Sequence, residues 1–73
     1  MPQPISDYHK QLLAQIHSMR PLDILPVSRV DKRAALKFRR CTFNRWNAKG
    51  YLEMEKVYKS FIYKNACYIV RVE

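Results

Sequence analysis

Between Arg29 and Lys49 the chain places eight basic residues, Arg29, Lys32, Arg33, Lys37, Arg39, Arg40, Arg45 and Lys49, against one acid, Asp31. That stretch carries +7 of the formal net charge of +8. Cations packed this densely on a helical segment form an electrostatic footprint for phosphate, and each phosphate neutralised releases counterions. The competing reading is a solvated face that keeps a small protein soluble, but such faces usually mix signs. Lys59 and Lys64, near the end of a strand and a turn, offer a second pair of cations, which would either reach a flanking phosphate or protect a sheet edge.

Other chemistry lacks its residues. His9 and His17 are eight apart, about 80° from each other on a helix, and Cys41 and Cys67 follow no zinc spacing, so no metal site is expected. A single glycine excludes the phosphate cradles GxGxxG and GxxxxGK[ST]. No Ser or Cys has a base and an orienting group at a telling spacing. The reading is therefore of a protein without enzymatic activity and without a cofactor. Cys41 and Cys67 are expected as free thiols in a reducing cytoplasm, a single bridge between them being the alternative.

These side chains need elements to hold them. Seventy-three residues suffice for one domain, 1–73, and 48% hydrophobic content with one Gly and four Pro suits a small core rather than a disordered tail. No apolar run nears the roughly 20 residues that span a bilayer, and MPQPISDYHK lacks the layout of an export signal, so a cytoplasmic protein is expected. Residues 1–5, with Pro2 and Pro4, read as a flexible arm. Ser6 caps a first helix at about 6–19, with Ile5, Tyr8, Leu12, Leu13 and Ile16 at helical spacing. Pro21 and Pro26 leave room only for a packed linker between them.

Ser28 and Asp31, as SRVD, predict the start of a second helix. At 100° per residue Val30, Ala34, Phe38 and Cys41 share its apolar face. Continued beyond that, the same helix would put Phe43 among Arg39 and Arg40 and take Trp46 off the apolar face, so the phase predicts a break near Cys41 and Thr42. Thr42 then caps a third helix, and Gly50 supplies the positive φ that closes it. Beyond Gly50 the residues are strand formers, with Lys64-Asn65 as the turn between strands at about 59–63 and 66–72, and a further short strand at 52–57. The expected fold is α+β, three short helices with a helix-turn-helix followed by a C-terminal β-hairpin wing.

The stretch KRAALKFRRCTFNRWNAKGYL resembles the helix-turn-helix of small winged-helix proteins, the group that includes phage excisionases and the DNA-binding end of MerR-type regulators. Ala34, Ala35, Thr42, Phe43, Arg45, Trp46, Lys49, Gly50 and Leu52 carry the match. Ala35 and Trp46 are 11 steps apart, about two fewer than in that pattern. The resemblance implies duplex DNA as partner, with Asn44, Arg45 and Asn47 reading base edges and Arg39, Arg40, Lys49 and Lys59 holding phosphates, joined by Lys64 on the wing. It implies a small phage or mobile-element regulator of transcription or recombination. The alternative is a small regulator that binds RNA polymerase directly, since the same basic surface suits an acidic protein patch. Trp46, Phe38 and Phe43 are expected in the core. Tyr58, Tyr63 and Tyr68 beside Lys59 and Lys64 offer a stacking platform for single strands, against the commoner role of strand tyrosines in covering a sheet.

Overall fold

The computed structural model describes residues 6–52 and 55–73. The arm expected over residues 1–5 lies outside them, as does the middle of the strand expected at 52–57, whose described residues form no strand.

Helix α1 (Asp7–His17) begins where expected: the Ser6 side chain accepts from the backbone N–H of His9, and Asp7 places a negative charge in the first turn. Leu12, Leu13 and Ile16 form its buried stripe. The linker after it is not irregular throughout. Ile24–Pro26 forms a short strand, β1, paired antiparallel to the last strand with Leu25 opposite Ile69. The backbone bonds of this pairing run through the odd positions, Val27 N to Cys67 O and Arg71 N to Asp23 O. Ile24 and Pro26 therefore direct their backbone away from the ladder. The missing N–H of Pro26 costs no sheet bond on this edge strand, and a sequence rule that reads proline as a breaker misses it.

Leu22, just before β1, holds φ at 71° and is 76% exposed, while its N–H bonds Arg71 O. A left-handed backbone costs a residue with a Cβ about 1 kcal/mol that glycine avoids. Leu22→Gly is expected to raise stability by about 0.5–1 kcal/mol in urea titrations, and a loss of that size would refute the strain.

The second helix starts at Lys32, not at Ser28. Asp31 is its cap, with the carboxylate accepting from Arg33 N at 2.9 Å and Ala34 N at 3.3 Å. Ser28 is occupied elsewhere: its hydroxyl accepts from Cys67 N at 2.8 Å and donates to Arg29 O at 3.0 Å, fastening the end of β1 to the sheet. Val30, placed by periodicity on the apolar face, precedes the helix and is 76% exposed.

The expected break at Cys41 and Thr42 is absent, and so is the helix-turn-helix. Helix α2 (Lys32–Lys37) passes through a π-helical segment (Phe38–Phe43) into α3 (Asn44–Ala48) without leaving helical backbone. Lys37, Phe38, Phe43 and Asn44, at the two junctions, all lie in the right-handed region. Thr42 caps nothing. The described residues thus form two helical bodies, 7–17 and 32–48, in place of the three expected helices, and a three-stranded antiparallel sheet that adds one strand to the expected hairpin.

The phase conflict was real, but the backbone resolves it by a different device. A π turn bonds each N–H five residues back, so it inserts one residue relative to the α repeat and turns everything after it back by about 100°. With that correction Phe43 lies about 40° and Trp46 about 20° from Phe38, and all three are buried together with Ala35. Cys41 is rotated out to solvent. Phe38 and Trp46 meet edge to face with centroids 5.3 Å apart, and the His9 ring stands edge-on to Trp46 at 5.6 Å.

Gly50, at φ 72°, closes the helix as expected. Tyr51 N bonds Trp46 O and Gly50 N bonds Asn47 O, the paired bonds of a Schellman termination. The hairpin follows, β2 (Tyr58–Tyr63) and β3 (Ala66–Arg71), with Tyr63 opposite Ala66 and a two-residue turn whose Lys64 and Asn65 have φ 49° and 66°. Both central residues at positive φ match the right-handed twist of the strands. Sheet order is β1-β3-β2. Both helices pack on one face of it, around Ile16, Val27, Phe38, Trp46, Cys67 and Ile69. Arg71 ties the far end by donating to Met19 O at 2.7 Å and Glu73 O at 3.0 Å.

Candidate nucleic-acid interface

With one side of the 32–48 rod committed to the core, its cations have only the solvent side left. Arg33, Lys37, Cys41 and Arg45 recur every four residues along one row, and Lys32, Leu36, Arg40 and Asn44 along another, about a quarter turn away. All the basic residues of both rows are exposed. The described residues contain one salt bridge, Arg29 to Asp31 at 3.3 Å. That bridge is at the surface and weak, and its carboxylate is shared with the helix cap.

A cleft flanks each side of the rod. One, about 540 Å³, lies against α1 and brings Arg29, Arg33 and Lys37 beside Tyr8 and Phe38. The other, about 350 Å³, lies against β2 and collects Arg39, Arg40 and Asn44 beside Ser60. The cations thus sit on both flanks of a cylinder about 10–12 Å wide, the width of a DNA major groove.

Of the residues singled out from sequence, Arg40, Asn44 and Arg45 lie on these rows, Arg39 lines the cleft toward β2 with Arg40 and Asn44, and Asn47 is exposed in the last helical turn. Lys49 follows the last helical turn. Asn44 is partly engaged, since its Nδ2 donates to Arg40 O at 2.9 Å, which leaves its Oδ1 as the readier contact. Lys59 and Lys64 are not part of this group. Lys59 points to the opposite face of the sheet from the helices, and Lys64 sits at the hairpin tip, at the end where Val27 and Ser28 bond Cys67. Arg33 and Lys37 lie outside the contacts that the resemblance implies. Their four-residue spacing with Arg45 would have marked them had the helix been read as continuous.

The two thiols are free and in different settings: Cys41 is exposed and Cys67 fully buried on β3. Burial pushes the Cys67 thiol above its ordinary 9.0, partly offset by the nearby Arg39 charge and a hydrogen bond with the Tyr68 backbone. The neutral thiol is therefore favoured in the folded state, while the unfolded chain ionises first. Its contribution is complete below about pH 9 and is lost as pH rises past that value. Wild type is expected to see its stability margin over Cys67→Ala begin to shrink as pH rises above about 9 in urea titrations carried from pH 7 to 11. A margin constant across that range would refute the assignment.

No helix of the described residues is long and apolar enough to cross a membrane. Comparison with protein-family models, curated proteins and solved structures finds no match to this chain.

Proposed function

We propose that this protein binds duplex DNA through the continuous basic helix 32–48, as a small regulator of transcription or recombination. The observation that carries the reading is the +7 stretch between Arg29 and Lys49 lying along one helical rod, with cations on both flanks and a single weak salt bridge to neutralise them. Laid in the major groove, the two flanks face the two phosphate backbones, and the solvent-facing crest between them faces base edges. Arg45 is suited to guanine, and Asn47 and the Asn44 carbonyl oxygen to donors on the bases. Arg33, Lys37, Arg39, Arg40 and Lys49 supply the phosphate contacts, and on duplex of random sequence Arg45 adds one more. One rod this short reads few base pairs, so useful specificity calls for a second copy or a partner protein.

The test is an amide-shift titration of labelled protein with a random-sequence duplex at low and moderate salt. Shifts confined to residues 33–49 that weaken steeply with salt support the proposal. If those residues stay unmoved at low salt, the duplex reading is lost, and RNA polymerase becomes the next partner to titrate into the same sample.

A further inference from the structure

The face of the sheet turned away from both helices carries an apolar surface that the basic helix does not explain. Register and strand alternation put Ile24 and Pro26 of β1, Lys59, Phe61 and Tyr63 of β2, and Ala66, Tyr68 and Val70 of β3 on it. The inner face takes Leu25, Tyr58, Ile62, Cys67 and Ile69, which belong to the core or pack on it. Tyr58 is thus removed from the tyrosine set suggested by sequence, its hydroxyl 3.4 Å from Ile16 O, and Phe61 takes its place.

The outer rings are arranged rather than scattered. Phe61 and Tyr68, directly opposite in register, lie nearly parallel, 18° between planes and 5.4 Å between centroids. Tyr63 is 57% exposed, Ile24 58%, and the Lys64 ammonium is 5.3 Å from the centre of the Tyr63 ring. Ile24, Phe61, Tyr63 and Tyr68 line a shallow groove of about 450 Å³. None of the three strands contains an acidic residue, and Lys59 and Lys64 stand at the rim.

An exposed aromatic surface whose strands carry lysines and no acid, on a chain of net charge +8, suits a ligand that offers flat apolar rings and negative charge together. A second copy of the chain offers the rings but adds its own +8. We infer that this face is a stacking platform for single-stranded nucleic acid, with bases on Phe61, Tyr63 and Tyr68 and phosphates on Lys59 and Lys64. It is a site separate from the helix and does not depend on duplex binding there.

The experiment compares an oligothymidine of about ten nucleotides with an abasic phosphodiester of equal length and charge, read by ring and amide shifts and by fluorescence anisotropy. The protein carries Arg40→Ala and Arg45→Ala, exposed positions whose loss weakens the helix as a competing site. The expected result is oligothymidine shifts at Phe61, Tyr63 and Tyr68, at least tenfold weaker binding of the abasic strand, and a loss of fivefold or more on Tyr63→Ala. Tyr63 is exposed enough that its removal leaves the fold intact, checked by an unchanged amide spectrum elsewhere. Equal binding of the two strands would show a phosphate contact only and overturn the proposal. So would an unperturbed sheet, and so would ring signals that respond to protein concentration instead, the mark of a self-association or protein-docking face.

Discussion

Replacing Arg40 and Arg45 together by alanine is expected to weaken duplex DNA binding about 60-fold at 0.1 M salt. Each phosphate contact contributes about 0.9 to the slope of log affinity against log salt, so at 0.1 M one lost contact is worth about eightfold and two about 60-fold. The slope itself should fall by about two. Both side chains are exposed, and the bond Asn44 makes to residue 40 uses the backbone carbonyl, so unfolding free energy should stay within about 0.5 kcal/mol of wild type. Arg45→Lys separates two roles: it keeps the phosphate charge, so affinity for random duplex should change little, but loses the bidentate fork and with it any guanine preference. Anisotropy titrations across salt check the affinities and the slope, and urea titrations the stability. A double variant with the wild-type slope would remove this helix face from the interface.

Inserting one alanine after Cys41 is expected to unfold the protein, whereas deleting Cys41 leaves it folded. The π segment already contains the one extra residue that brings Phe43 and Trp46 onto the side of Phe38. Removing exposed Cys41 returns the spacing to an ordinary α-helix, with Phe43 four and Trp46 seven residues on from Phe38 in the new count, and the buried face is preserved. A second extra residue swings Trp46 about 100° off the core. Trp46 is 2% exposed, and losing such a side chain costs about 3–5 kcal/mol, so Trp46→Ala alone should cost that much. A domain of this size has a total stability of about 4–10 kcal/mol, so the insertion, which also dislodges Phe43, exhausts most of it. Thermal melts followed by circular dichroism distinguish the variants. Native-like melting of the insertion, or collapse of the deletion, would refute the phase argument.

Legibility differed from element to element for identifiable reasons. The Ser6 cap, the Gly50 termination and the Lys64-Asn65 turn each depend on one or two residues bonding their immediate neighbours, so the sequence alone predicts them. Ser28, the cap expected from SRVD, gives way to Asp31 because the Ser28 hydroxyl meets Cys67 N, 39 residues away. Strand β1 was hidden because three residues ending in proline become a strand only when β3 lies beside them. The charge of the candidate interface was plain in the chain, but which cations act together depended on whether the helix breaks.

The basic stretch, the aromatic residues available to the core and the mixed α and β character are legible in the chain alone, because composition and local bonding need no distant partner. Only the tertiary structure decided that the helix from 32 to 48 continues. The phase mismatch can be relieved either by a turn or by a π insertion, and the requirement to bury Phe38, Phe43 and Trp46 against one sheet face selects the insertion. The same packing decided which tyrosines face solvent, since the parity of a strand is fixed only by the core it lies on.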